Sequence, residues 1–160
     1  MQTTWINHLA EYQNAMRQQV PEVYQGLMDF MLRFRTRLMT YYPSGYAFSH
    51  LSPGYLDNSY FAFTPEAVRQ QKLKVALVLN HQEMRFEIWL CGQNKKVQQE
   101  YWQIFKESDW DRNNLAPSPE RSVMEEVLIE NPNFSEEEVL FESLETGIMR
   151  FNEILVDAFT

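Results

Sequence analysis

The chain has 160 residues with 14 basic and 22 acidic side chains, a formal net charge of −8, 44% hydrophobic and 14% aromatic content. So much apolar material excludes a disordered chain, and a domain of this length buries about two-thirds of its unfolded surface. Five glycines leave little room for a glycine-rich phosphate loop or a many-turned β-sandwich, and no apolar run reaches the roughly 20 residues that span a bilayer.

The charge is unevenly spread. Residues 1–108 hold eleven Lys/Arg and nine Asp/Glu, a balance of +2, whereas residues 109–160 hold three against thirteen, a balance of −10. An acidic chain lacks the attraction to phosphate that dominates nucleic-acid affinity, so nucleic acid is a poor candidate partner. The opening MQTTWINHLAEYQ has neither a basic leader nor an apolar core. Together with a single cysteine, Cys91, this predicts a cytoplasmic protein.

In chain order, Trp5, Leu9, Tyr12 and Met16 recur at helical spacing and predict a helix from Thr3 to about Gln18, opened by a threonine cap. Pro21 suits the first turn of a second helix, over 21–42, because its missing N–H would be unpaired there anyway. Val23, Leu27, Met31, Phe34, Leu38 and Tyr41 form the core stripe of that helix, and Pro43 stops it.

The stretch YYPSGYAFSHLSPGYLDNSYFAFTP (41–65) is punctuated by Pro, Gly, Ser, Asn and Asp, so it turns more than once. It predicts an extended piece near 46–50, a turn at 52–58 and a strand at 59–63. Its many aromatic residues fit either the capped edge of a core or an aromatic ligand cleft.

Residues 72–91 alternate as a β-hairpin. Leu73, Val75, Leu77 and Leu79 share a face with Met84, Phe86, Ile88 and Leu90. A turn centred on His81–Gln82 would place Leu79 opposite Met84, Leu77 opposite Phe86, Val75 opposite Ile88 and Leu73 opposite Leu90. The same register puts Val78 opposite Arg85, Ala76 opposite Glu87 and Lys74 opposite Trp89, on a mixed face.

Asn94 is a suitable cap for a helix over 94–107, with Val97, Tyr101, Ile104 and Phe105 inward. A loop follows over 108–120. Residues 121–130 fit a strand or a short helix, and the abrupt stop at Asn131–Pro132 favours the strand. Ser135 and Glu138 have capping-box spacing ahead of a helix over 135–158, lined by Leu140, Leu144, Ile148, Phe151 and Leu155; Gly147 weakens it. The fold expected is a single α+β domain, helix-helix-β-β-β-helix-β-helix, with a mainly antiparallel sheet of three to four strands against helices.

No familiar catalytic set is present. His8, His50 and His81 lie far apart, and no CxxC or HExxH occurs, so neither a metal nor another cofactor is indicated. Cys91 ends a strand-like run, where a packed thiol is commoner than a nucleophile. Asp109, Asp111 and Asn113 alternate like calcium ligands, but the glycine and distal glutamate of a calcium loop are missing.

The element order without its first and last helices, α-β-β-β-α-β, resembles restriction-endonuclease-like domains. That resemblance implies a fourth strand parallel to the third and a carboxylate pair around Mg²⁺ near Glu87. Here Trp89 stands where the lysine of the acidic-x-Lys triplet belongs, and strand 72–80 has no Asp or Glu. Only Asp57 and Glu66, flanking the first strand, remain to be recruited.

YFAFTPE, NHQEMRFEIWLCGQNK and VLIENPNF resemble an uncharacterised family of small bacterial proteins, a domain of unknown function. The resemblance implies a bacterial cytoplasmic protein and brings no activity with it.

The candidate site is therefore the mixed hairpin face. Arg85, Glu87 and Trp89 project together at i, i+2 and i+4, with Lys74 and Tyr60 on adjacent strands and Arg33 and Arg37 as further candidates. A plain alternative is an Arg85–Glu87 ion pair beside a tryptophan covered by a helix. The expected function is a non-catalytic binding or interaction domain, with an acidic C-terminal third available to a basic partner. A degenerate nucleic-acid-processing domain and a small-molecule pocket are the alternatives.

Overall fold

The computed structural model describes residues 4–108 and 114–160. A 3₁₀ turn at Thr4–His8 leads into α1 (Leu9–Arg17) and α2 (Gln19–Tyr41). Strands β1 (Tyr46–Phe48) and β2 (Asn58–Pro65) follow, then a single turn, α3 (Glu66–Arg69), that no sequence signal announced. The chain continues through β3 (Leu73–Asn80), β4 (Arg85–Gly92), α4 (Lys95–Glu107), β5 (Met124–Glu130) and α5 (Glu137–Phe159). The α+β class and the order of the main elements are as expected, and the sheet has five strands, not three or four.

All five strands run antiparallel in the order β1-β2-β3-β4-β5, a plain meander. Segment 121–130 resolves as a strand antiparallel to β4. The topology thus departs from the parallel fourth strand that the endonuclease resemblance implied.

The hairpin exists with a register two residues away from the one expected. Leu79 faces Phe86, Leu77 faces Ile88, Val75 faces Leu90 and Leu73 faces Gly92. The connection is a four-residue loop, His81–Met84, not a tight turn at His81–Gln82. Asn80 Oδ1 accepts from the backbone N–H of Gln82 and of Glu83, each at 3.1 Å, and Met84 takes a left-handed φ of 48°. The Asn80 side chain holds the loop open, and Met84 moves out of the ladder.

Every helical core residue lies on one face of the sheet. Leu27, Met31, Phe34 and Leu38 of α2 and Leu140, Leu144, Ile148, Phe151 and Leu155 of α5 pack on Leu73, Val75, Leu77, Leu79, Phe86, Ile88 and Leu90. Val23 and Tyr41, at the ends of the expected α2 stripe, are exposed. Phe30 packs against Phe86 and, edge-on at 5.0 Å, against Phe134. In α4 the Asn94 side chain accepts from Val97 N–H as a cap, Phe105 is buried, and Ile104 is exposed while Gln98 turns inward.

The capping box at α5 does not form: the helix begins at Glu137 with Glu136, not Ser135, at the cap position, and Glu138 reaches across to Arg37 at 2.7 Å. Gly147 has a packing role: a Cβ there would come within 3.0 Å of Leu128, so glycine lets α5 approach β5. The first helical segment departs most from expectation. None of its residues is buried, and Trp5 is 63% exposed and Tyr12 62%. The start of that helix, Thr3, and the Asp109/Asp111/Asn113 spacing lie outside the described residues. Among the described residues, no helix is long and apolar enough to cross a membrane.

Candidate functional site

The second face of the sheet has its own small cluster, Ala76, Val78, Trp89 and Cys91 with Tyr60 against it, and among the described residues no helix side chain contributes. The antiparallel ladder fixes the grid. Tyr60 sits beside Val78, Ala76 beside Trp89, and Lys74 beside Cys91, so Lys74 is diagonal to Trp89 and not opposite it as expected.

Glu87 organises this face. It is 2% exposed, and its carboxylate accepts from Arg85 Nε at 2.7 Å, Trp89 Nε1 at 2.8 Å and Asn80 Nδ2 at 3.1 Å. Burial works to raise its pKa, and the three donors together outweigh burial and hold it below the ordinary carboxylate value. The anion is thus satisfied on all sides, and the bond from Trp89 Nε1 locks the indole in place.

Trp89 is covered by Arg121, not by a helix. The guanidinium lies 4.4 Å from the ring centroid and is held by two bonds to Glu125, at 2.6 and 3.0 Å. Such a cation over an indole face is attracted by the ring quadrupole. Ser122 Oγ also donates to Glu125. Arg121 comes from the segment before β5, 32 positions along the chain from Trp89, and sequence reasoning missed it because nothing local links the two.

These side chains surround a hollow of about 140 Å³. Ala76 and Val78, which are 2% and 1% exposed, form its floor. Trp89, Cys91 and Arg121 line it together with Tyr60 and Lys74. Of the five residues expected at a site, Tyr60, Lys74 and Trp89 meet at this hollow, while Arg85 and Glu87 stand beside it as the support for the indole. Lys74 and the Tyr60 hydroxyl have no side-chain partner among the described residues.

Arg33 and Arg37 do not join this face. Arg33 pairs with Glu137 at 2.6 Å, and Arg37 pairs with Glu138 and with Glu145, so both fasten α2 to α5. The aromatics of 41–65 mostly close the core edge: Tyr42, Tyr46 and Phe48 gather on Phe63, and of the group Tyr60 alone lines the hollow.

Chemical reactivity is quenched at each nucleophile of interest. Burial pushes the Cys91 thiol up to about 11, so it remains protonated near neutral pH. A serine–histidine pair that the sequence did not reveal occurs where Ser59 Oγ lies 2.8 Å from His81 Nε2. Ser59 Oγ is also 2.6 Å from the Pro53 carbonyl, which only accepts, so the hydroxyl donates there and receives the His81 N–H. That is the reverse of a histidine drawing a proton from a nucleophile, and Ser59 is fully buried. Burial holds His81 below its ordinary pKa, opposed by nearby Asp57. His81 also lines an apolar groove of about 270 Å³ with Tyr24, Leu56 and Met84, which is more open than the Trp89 hollow.

The carboxylates that a nuclease reading would recruit are engaged elsewhere. Asp57 accepts from Tyr55 and Asn58 N–H in its own loop, Glu66 is bidentate with Arg69, and Glu87 is held by Arg85, Asn80 and Trp89. Among the described residues no group of three His, Cys, Asp or Glu side chains is arranged to hold a metal ion.

No curated protein and no solved structure matches this chain. A family model does match it, over residues 6–159, nearly its whole length. The chain belongs to that family, described as a domain of unknown function, DUF7000.

Proposed function

We propose that the protein is a non-catalytic binding domain whose recognition site is the hollow on the helix-free face of the sheet. The observation that supports this reading most is the combination at Trp89: a rigid indole, an apolar floor and two polar groups, Lys74 and Tyr60, with no side-chain partner among the described residues, around one concavity. Ligand sites are usually apolar concavities with a few placed polar groups. The enclosure favours a small molecule over a protein surface. The acidic C-terminal third offers weaker support for a basic partner, since Glu125, Glu126, Glu137, Glu138 and Glu145 are already paired with arginines of the same chain. The proposed setting is the bacterial cytoplasm, which the sequence resemblance implies and the lone thiol suits.

The test is amide and indole NMR of the whole chain against a panel of single-ring compounds that are cationic, neutral or anionic. The reading expects at least one class to shift the Trp89 indole N–H together with the Tyr60 and Lys74 amides. Binding confined to the groove at Tyr24 and His81, or turnover of any panel member, would count against it.

A further inference from the structure

We infer that the hollow selects a small organic monoanion with a flat apolar body, such as a single-ring aromatic carboxylate, with its charge at Lys74 and Tyr60 and its ring against Ala76, Val78 and Trp89. The inference rests on the binding reading above and specifies its ligand.

The sign follows from pairing on this face. Arg85 is taken by Glu87 at 2.7 Å, with Glu130 beyond it at 3.5 Å, and Arg121 is taken by Glu125 at 2.6 Å. Of the two cations lining the hollow, Lys74 is the one without a carboxylate partner among the described residues. A ligand that covers the hollow strips water from this ammonium, which is costly unless the ligand returns a charge-assisted hydrogen bond. An anion does so, and the Tyr60 hydroxyl supplies a second donor. A cationic ligand would set two ammonium groups together, and a neutral one would leave Lys74 poorly solvated.

The size and shape follow from the cavity. About 140 Å³ is close to the volume of roughly 150 Å³ known to hold one benzene ring. The floor of Ala76 and Val78 offers dispersion contacts but no hydrogen bond, so a bare inorganic anion would lose hydration there without return. The indole is fixed by Glu87 on its N–H and by Arg121 over its face, so the ring-binding wall needs no ordering when a ligand arrives.

The test titrates the whole chain with sodium benzoate, benzamide, benzylammonium chloride and inorganic phosphate, following the Trp89 indole N–H. Benzoate should bind about tenfold more tightly than benzamide, the scale of one charge-assisted hydrogen bond. Benzylammonium and phosphate should leave the indole unmoved. Lys74→Met should bring benzoate down to the benzamide level, and Lys74→Arg should keep the preference. Equal binding of benzoate and benzamide by the native chain, or a benzoate preference that survives Lys74→Met, overturns the anion assignment while leaving the binding reading in place. An indole that responds to no compound of the panel overturns both.

Discussion

The two faces of the central hairpin share one backbone and bury their side chains by different means. On the core face, Leu77, Leu79, Phe86 and Ile88 are at or near zero exposure because α2 and α5 cover them with large apolar groups. On the opposite face, Ala76, Val78 and Glu87 are just as hidden, yet the cover consists of Trp89, Tyr60 and the length of Arg121 from the sheet itself and its margin. The first arrangement is a packed interior, in which volume decides stability. The second is one side chain thick and held by directed bonds to Glu87 and Glu125, so it keeps a hollow that a helix would have filled. Stabilising burial is concentrated on the first face, and the proposed ligand selectivity on the second.

The largest expected effect is therefore on the core face. Phe86→Ala removes a fully buried ring that packs against Phe30 at 5.8 Å and Phe134 at 6.0 Å, and should cost about 3–5 kcal/mol in urea unfolding. A loss below about 1 kcal/mol would mean that the helices do not rest on this face as described.

Next comes the organiser of the open face. Glu87→Ala leaves the Trp89 and Asn80 donors unmatched, while Arg85 keeps Glu130, and should cost about 2 kcal/mol, the scale for orphaned buried polar groups. It should also free the indole, so the near-UV circular dichroism of Trp89 weakens even where the fold survives. An unchanged spectrum would show that Arg121 alone holds the ring.

Alternation of apolar and polar residues made the two faces legible, along with the strands and the core stripes of α2 and α5. It could not specify the register. A shift of two residues returns every side chain to its own face, so pairing Leu79 with Met84 or with Phe86 satisfies the pattern equally well. The choice was made by the Asn80 side chain and the left-handed Met84, which widen the loop. Tyr60, Lys74 and Trp89 were legible as neighbours because adjacent strands bring them together. Arg121 was not, since it reaches Trp89 from a distant segment, and the Ser59–His81 pair required the hairpin and β2 to meet in a particular register. The first helix misled by the reverse route: its stripe has helical spacing, but none of its described residues is buried.

Acid should affect the two regions in sequence. His81, half-buried beside the core-face Ser59, has a folded pKa below 6.5, so the folded state binds fewer protons than the unfolded chain. Its contribution is complete above pH 6.5 and is lost as pH falls from there toward the lowered folded value. Glu87 is also depressed, from 4.5, so its contribution is present above pH 4.5 and disappears as pH falls through its folded pKa. Thermal melts should show a shallow decline beginning below pH 6.5 and a steeper one below pH 4.5. His81→Gln should flatten the first and leave the second, and a single transition unaffected by that change would refute the separation.

The smallest stability effect is expected where the functional effect is greatest. Lys74 is half-buried at the hollow and holds no partner among the described residues, so Lys74→Met keeps the aliphatic stem and removes no native bond. Urea unfolding should change by less than about 0.5 kcal/mol, the usual range for a surface site away from special features. A side chain that stabilises the fold through the sheet would behave otherwise: a loss of about 1 kcal/mol or more would place Lys74 with Glu87 as part of the cover. Near-silence in stability, combined with the loss of benzoate preference, is the pattern of a residue kept for a ligand. It would set Lys74 apart from its strand neighbours Ala76 and Val78, whose side chains are needed to close the floor beneath it.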